Sequence, residues 1–303
     1  MTQIPSNDDA LTIDASGGRR LSGAPPRLKL PPKATDTHMH IFDDRFPGRD
    51  GGPPKPPVAA TLDDYRRLQR WLGLERAVFV QSAAYQFDNA CMLDALDRFT
   101  AEGGEARGVA VVGPDVEDAE LEDMTRRGVR GARHMHLPGG ALGFDDLLRV
   151  NARVLPFGWH LITQFDGRRI EEYRPILEAI KGDYTIDHAG KFLEPVAVDS
   201  PAFTALLRLI DRGNCYVKIS ACYETSKAGP PDYADVGALS KALIEHAPER
   251  MLYASNWPHV SAPIDSQPDD RRLLDLMLDW APDEHVRQMI FVENPAKLYG
   301  FPV

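Results

Sequence analysis

The sequence has few cysteines, no cluster of basic residues and no long apolar run, and each absence excludes a class of protein. Among its 303 residues are three cysteines, Cys91, Cys215 and Cys222. They are too few and too irregularly spaced for a disulfide framework or a thiolate metal site, so we expect buried, reduced side chains. The formal net charge of −10 disfavours a nucleic-acid or anionic-membrane partner. An anionic substrate would therefore need a local basic pocket.

Targeting and membrane signals are also missing from the sequence. Arg19 and Arg20 could begin a twin-arginine signal, but the segment that follows is interrupted by prolines and has no apolar stretch. No later segment has the apolar length that a transmembrane helix requires. We therefore expect a cytoplasmic protein with no membrane partner, acting as a monomer or a small homo-oligomer.

The spacing of apolar segments predicts one (β/α)8 TIM-type barrel. Eight short β-rich runs alternate with amphipathic segments of helical length, whereas an open doubly wound sheet usually has six strands and Gly-rich phosphate loops. The predicted strands are 36–41, 77–81, 108–112, 129–135, 160–165, 184–188, 215–220 and 251–255, and the predicted helices include 62–72, 117–127, 202–211 and 234–246. Residues 33–303 would form the barrel. Residues 1–32, which are polar and rich in Gly and Pro, would form a poorly ordered N-terminal arm or a segment draped over the barrel.

His38 and His40 end the first predicted strand, and residues two apart on a strand share a face. Two imidazoles on one face can bind a metal, move protons or polarise a carbonyl near neutral pH. The carboxyl ends of the other strands would bring further polar side chains to the same open end of the barrel, which we call the mouth. These are Gln81, Arg133, Gln164, His188, Lys218 and Asn256.

Three motifs resemble the amidohydrolase superfamily: Asp-Thr-His-Met-His at 36–40, Asp-His-Ala-Gly-Lys at 187–191 and Asn-Trp-Pro-His at 256–259. Longer collinear matches at 131–141, 164–167, 209–214 and 246–250 resemble the branch that contains 2-pyrone-4,6-dicarboxylate lactonases and galactarolactone isomerases. The resemblance runs over nearly all of 34–300. It implies a metal-independent enzyme of carbohydrate-acid catabolism without a cofactor, whose substrate is a small acidic lactone.

The residues themselves also argue against a metal. A catalytic zinc site in such a barrel would add to the first-strand pair a ligand on the fifth strand and an Asp on the eighth. Those positions hold Gln164 and Asn256, whose neutral amides are poor zinc ligands. Only His38, His40 and His188 would remain, so we expect no bound metal.

Asn256 also bears on the choice of reaction. An Asp at this position could deprotonate water for hydrolysis of a lactone, and an amide cannot. Isomerisation needs only a hydroxyl already tethered to the substrate. The preferred function is therefore a galactarolactone-type migration from δ- to γ-lactone. The alternatives are hydrolysis of a dicarboxylate lactone such as 2-pyrone-4,6-dicarboxylate, and a non-catalytic barrel that binds acidic sugars.

In the preferred reaction His188 would move the proton, and His38 and His40 would donate hydrogen bonds to the developing oxyanion. Arg133 would grip the distal carboxylate, with Lys218 as a second cation. Strand alternation lets either Arg133 or the pair His134 and His136 face the interior, and we choose Arg133. Four further substrate contacts are expected, although some of them are equally compatible with loop packing: Gln81, Gln164, Tyr223 and His259.

Overall fold

The computed structural model describes residues 18–302 and shows eight parallel strands, each hydrogen-bonded to the next in chain order. The strands are β1 Thr35–Met39, β2 Arg76–Val80, β3 Glu105–Ala110, β4 Val129–His136, β5 His160–Phe165, β6 Tyr184–Ile186, β7 Cys215–Ile219 and β8 Met251–Tyr253. The α-helices between and after them are α1 Leu62–Leu72, α2 Ala90–Ala101, α3 Asp118–Arg126, α4 Phe144–Val154, α5 Ile170–Ala179, α6 Pro201–Asp211, α7 Cys222–Thr225, α8 Ala234–His246, α9 Asp270–Asp275, α10 Met277–Trp280, α11 Glu284–Gln288 and α12 Asn294–Tyr299. The predicted (β/α)8 architecture is confirmed.

Hydrogen bonds between β1 and the segment after β8 close the sheet into a barrel. The backbone N–H of Asn256 donates to the His38 carbonyl, and the backbone N–H of His40 donates to the Trp257 carbonyl, both at 2.9 Å. The Thr37 hydroxyl donates to the Tyr253 carbonyl at 2.7 Å. Closure therefore fixes His38, His40 and Asn256 next to one another at the carboxyl end of the barrel.

The first helix shows how local sequence defines an element. Thr61 and Asp64 form a reciprocal capping box at the start of α1, and Gly73 ends the helix with a left-handed φ of 81°. Tyr65, Leu68 and Leu72 form the buried face that packs against the sheet. This spacing is the helical periodicity from which 62–72 was predicted.

An apolar plug fills the barrel interior beneath the polar mouth. Phe79 packs against the helices through Tyr65 and Phe99, so Val78 and Val80, its strand neighbours, face inward. They join a buried cluster that includes Val109, Ile162, Tyr216 and Leu252. Because Tyr216 and Lys218 are two apart on β7, the same alternation directs Lys218 into the barrel.

Residues 18–32 pack against the barrel. The buried Arg19 side chain donates to the carbonyls of Val58, Ala59 and Pro258, and the Leu28 amide donates to Asp275 at 2.9 Å. Residues 18–32 thus lie against the barrel, while residues 1–17 of the predicted N-terminal arm lie outside the described residues. No helix between residues 18 and 302 is long and apolar enough to cross a membrane.

Candidate active site

The carboxyl ends of the strands bring the predicted polar side chains together. Arg133 points into the barrel, where it donates to the Gln81 carbonyl at 2.7 Å and to Gln164 Oε1 at 2.8 Å. His136 instead contacts the rings of Phe144 and Tyr173 in the helical layer. The two sets of side chains on β4 therefore face opposite ways, as strand alternation predicted.

A chain of hydrogen bonds fixes the tautomers of His38 and His40. The His40 Nδ1–H donates to the Val80 carbonyl at 2.8 Å, so its Nε2 accepts the His38 Nε2–H at 3.2 Å. His38 Nδ1 then accepts a hydrogen bond from the Lys218 ammonium at 3.0 Å. Burial lowers the pKa of His40 to about 3 and that of His38 well below its usual value, so both rings are neutral.

The hydrogen bonds of His38 and His40 do not fit a metal ion bound by these two histidines. A metal needs an imidazole lone pair, and both lone pairs in the pair already accept hydrogen bonds, from Lys218 and from His38. On β5, Gln164 Oε1 accepts from Arg133, and after β8 the Asn256 amide nitrogen acts as a donor. The potential metal ligands in this part of the described residues are thus engaged in hydrogen bonds with one another and with neighbouring side chains.

His188 lies in the left-handed turn after β6. Its Nδ1 lies 2.7 Å from Ser220 Oγ, and its ring centroid is 5.3 Å from that of His38. Burial, reinforced by the charge of Lys191, holds the pKa of His188 well below its usual value. The ring is therefore neutral at physiological pH, which is the state that a general base requires.

Lys191 and Glu224 form an ion pair at the rim of the mouth. Glu224 also accepts hydrogen bonds from Asn256 Nδ2 at 3.2 Å and from the Ser261 hydroxyl at 2.6 Å. Burial lowers the pKa of Lys191 to about 8, and burial likewise lowers the pKa of Lys218 to about 8. Both ammonium groups are thus charged at neutral pH but lose their protons in mildly alkaline solution.

Tyr223, His259 and Asp270 form a second hydrogen-bonded chain. The His259 Nε2–H donates to Asp270 Oδ1 at 3.0 Å, so Nδ1 carries the lone pair that accepts the Tyr223 hydroxyl proton, also at 3.0 Å. The phenol oxygen in turn accepts from Asn256 Nδ2 at 2.8 Å. The Tyr223 hydroxyl is therefore oriented from two sides while its ring remains partly exposed.

Two predicted substrate contacts also have structural partners. Gln81 Nε2 donates to the carbonyls of Gln86 and Asp88, which holds the loop after β2, while Gln81 Oε1 has no hydrogen-bond partner among the described residues. Gln164 orients Arg133, whose Nε is likewise unpartnered within residues 18–302. Gln81 and Arg133 thus each have a fixed orientation and one polar atom without a partner among the described residues.

Left-handed backbone conformations concentrate at this end of the barrel. Non-glycine residues with positive φ follow β6, β7 and β8: His188, Ala189, Lys191, Ala221, Asn256 and His259. Such conformations cost free energy and persist where the surroundings enforce them. Gly167 allows the loops after β5 and β6 to approach, since a Cβ there would lie 2.2 Å from the Gly190 carbonyl oxygen.

Four residues at the site were not among the predicted site residues: Asp187, Lys191, Ser220 and Asp270. Ser220 follows Lys218 by two positions and shares its face, which is a signal that strand alternation provides. Asp187 and Lys191 flank His188 within the 187–191 motif. Asp270 has no comparable signal, because α9 brings it to His259 only in the folded chain.

These features are typical of a (β/α)8-barrel enzyme whose site lies at the carboxyl ends of the strands. An amidohydrolase family model matches residues 35–301, and the chain belongs to that family. D-galactarolactone isomerase from Agrobacterium fabrum is 41% identical over 284 residues, covering 93% of this chain and 96% of that protein. A 2-pyrone-4,6-dicarboxylate hydrolase from Comamonas testosteroni is 32% identical, covering 90% of this chain and 92% of the relative. A crystal structure of an apo protein from Agrobacterium tumefaciens has a TM-score of 0.89 at 39% identity, covering 94% of this chain and 99% of that one.

Proposed function

We propose that this protein isomerises a sugar-diacid lactone, by a galactarolactone-type migration from δ- to γ-lactone, without a metal. The observation that carries the proposal is a neutral, buried imidazole, His188, in a mouth rich in buried cations where Asn256 replaces a carboxylate. The 41% identity to a D-galactarolactone isomerase supports the same substrate class.

Charge in the mouth suits an anionic substrate. Arg133, Lys191 and Lys218 are buried cations, whereas the carboxylates paired with the two lysines are Glu224 and Asp187. The cations outnumber these carboxylates, so a substrate carboxylate would complete the balance of charge. This local excess provides the basic pocket that an acidic protein needs in order to bind an acidic ligand.

In the proposed reaction a substrate hydroxyl attacks the lactone carbonyl carbon while His188 takes the hydroxyl proton. A new C–O bond forms, and the carbonyl oxygen becomes an oxyanion in a tetrahedral intermediate. The old ring C–O bond then breaks, and the departing oxygen receives a proton. No water is consumed, and the tethered nucleophile gains the effective concentration of an intramolecular reaction.

We assign oxyanion stabilisation to the Lys218 ammonium. The N–H groups of His38 and His40 are directed at His40 Nε2 and at the Val80 carbonyl, so in this network the pair orients Lys218 and donates no hydrogen bond to the substrate. A buried cation held in place stabilises developing charge without reorganisation.

Tyr223 is the second proton carrier in this proposal. Its hydroxyl donates to His259, which Asp270 orients, and the hydroxyl is within reach of the Asn256 amide. The pair His188 and Tyr223 would allow one group to accept a proton while the other protonates the departing oxygen.

Hydrolysis remains the alternative, and the environment of Asn256 opposes it. Glu224 is the carboxylate that contacts Asn256, and its oxygens already accept hydrogen bonds from Lys191, Asn256 and Ser261. A carboxylate so occupied is a weak base for water. A non-catalytic binding site would not require an unprotonated His188 or an oriented Tyr223 hydroxyl.

The proposal is tested by incubating the purified protein with galactaro- and glucaro-lactones and recording proton NMR spectra over time. We expect signals of the δ-lactone to be replaced by those of the γ-lactone before any free diacid appears. Accumulation of the diacid at the same rate as substrate loss would support the hydrolase alternative. No enzyme-dependent change with any of these lactones would refute the isomerase assignment, and the hydrolase alternative would then be tested with 2-pyrone-4,6-dicarboxylate.

A further inference from the structure

Lys218 lies where a cation would be held by His38 and Asp187. Its ammonium nitrogen is 3.0 Å from His38 Nδ1 and 3.5 Å from Asp187 Oδ1. The side chains of Lys218, His38 and Asp187 are completely buried. Two potential ligand atoms thus converge on the lysine nitrogen in the barrel interior.

His38 and Asp187 also belong to a group of three residues that could bind a metal ion. His38, Asp187 and His188 each offer one ligand atom, and these atoms all lie within 4.8 Å of one another. Neither oxygen of Asp187 has a hydrogen-bond partner among the described residues. A buried carboxylate without hydrogen bonds needs a nearby positive charge, and Lys218 supplies it.

We infer that Lys218 is a built-in cation that takes the place of a divalent metal between His38 and Asp187 and excludes metals from this barrel. The lysine occupies the His38 lone pair and neutralises Asp187, the two contributions that a metal would require from them. A second positive charge at the same point would meet strong repulsion from the ammonium. Lys218, as well as Gln164 and Asn256, would then make the site unsuitable for a metal ion.

Removing the ammonium should therefore uncover a metal site. In Lys218→Ala and Lys218→Gln, His38 Nδ1, Asp187 and His188 become available to one divalent ion, with water in the vacated space. Co²⁺ is a suitable probe because its visible absorption reports nitrogen and oxygen ligands directly, without reference to activity. Lys227→Ala is a matched control, since Lys227 is an exposed lysine whose side chain has a relative accessibility of 64%.

We expect the wild-type protein and Lys227→Ala to show no stoichiometric Co²⁺ binding by equilibrium dialysis with metal analysis. Lys218→Ala and Lys218→Gln should each bind one Co²⁺ at least about 100-fold more tightly than wild type and develop visible d–d bands. Adding Asp187→Asn to Lys218→Ala should abolish the bands, because the anionic ligand is lost. Circular dichroism identifies the variants that are folded.

Tight, stoichiometric Co²⁺ binding by the wild-type protein would overturn the inference, since Lys218 would then not exclude a metal. Failure of a folded Lys218→Ala or Lys218→Gln variant to bind Co²⁺ would also overturn it. Both readouts are independent of the substrate, so they stand apart from the outcome of the lactone assays.

Discussion

His188 illustrates, at the scale of a single residue, how burial sets the protonation state that catalysis needs. Its ring has a depressed pKa because it is desolvated and lies near Lys191, while Ser220 fixes its Nδ1. The ring is therefore unprotonated near neutral pH, and when its Nδ1–H donates to Ser220 the lone pair on Nε2 is the one that can accept a proton. Its sequence position indicated an active-site histidine, but its neutral state depends on neighbours that only the folded chain provides.

Replacing His188 with Asn should lower kcat by about 10² to 10⁴-fold, because the proposed proton acceptor is removed. KM should change little, since Arg133, Lys191 and Lys218 remain in place. Steady-state kinetics on the purified variant provides the check. Retention of near wild-type kcat would reassign His188 to a structural role.

Arg133→Lys and Arg133→Met should chiefly weaken substrate binding, by about 2 to 4 kcal/mol if the guanidinium holds a desolvated carboxylate through two hydrogen bonds. The lysine variant keeps the charge but loses the planar fork, so it separates geometry from charge. Calorimetric titration with a non-reactive diacid is a direct measurement. Unchanged affinity in both variants would mean that Lys191 or Lys218, and not Arg133, binds the substrate carboxylate.

At the scale of secondary-structure elements, the sequence predicted the strands better than their ends. β5, His160–Phe165, matches its prediction to the residue, whereas β6 and β8 end two residues earlier than predicted. His188 and Asn256 adopt left-handed conformations just beyond those strands. Apolar periodicity reports burial and not the sign of φ, so the turns that aim these side chains could not be predicted from it.

Asp36 joins three elements around the barrel seam. Its carboxylate accepts from the Ser255 amide and hydroxyl after β8, from the His38 amide at the end of β1, and from the Tyr65 hydroxyl on α1. Asp36→Ala would leave these buried donors without an acceptor, which should lower the free energy of unfolding by about 3 to 4 kcal/mol. Urea denaturation of the variant measures the loss.

The matched control for that measurement is Asp115→Ala, an exposed aspartate that among residues 18–302 pairs with Arg149. We expect a change below about 0.5 kcal/mol there, as is usual for a surface ion pair. Equal losses in the two variants would mean that Asp36 does not hold the seam together.

At the scale of the whole molecule, the protein has a net charge of −10, whereas the mouth of the barrel has an excess of buried cations. The composition predicted that a basic pocket would be needed for an anionic substrate, and Arg133 and Lys218 were identified from their strand positions. Lys191 was not, because it reaches the mouth through a left-handed turn and an ion pair with Glu224. Long-range contacts of this kind leave no periodic trace in the sequence.

The buried lysines predict how kcat/KM depends on pH. Lys191 and Lys218, each with a pKa of about 8, are charged below that pH and neutral above it, so binding of an anion should weaken as the pH rises through 8. The His188 pKa lies well below 6.5, so kcat/KM should stay level on the acid side until far below that value. Initial rates between pH 5.5 and 9.5, corrected for spontaneous lactone opening in buffer alone, would test this. A profile that stays level through pH 9.5 would mean that the charge of these lysines is not needed.

The origin of the attacking oxygen tests the central claim most directly. In water enriched in ¹⁸O, mass spectrometry of the first product formed by the wild-type protein distinguishes attack by a substrate hydroxyl from attack by water. The account predicts a γ-lactone without ¹⁸O, because both oxygens of the new ester come from the substrate. Open-chain diacid carrying one ¹⁸O as the first product would contradict it.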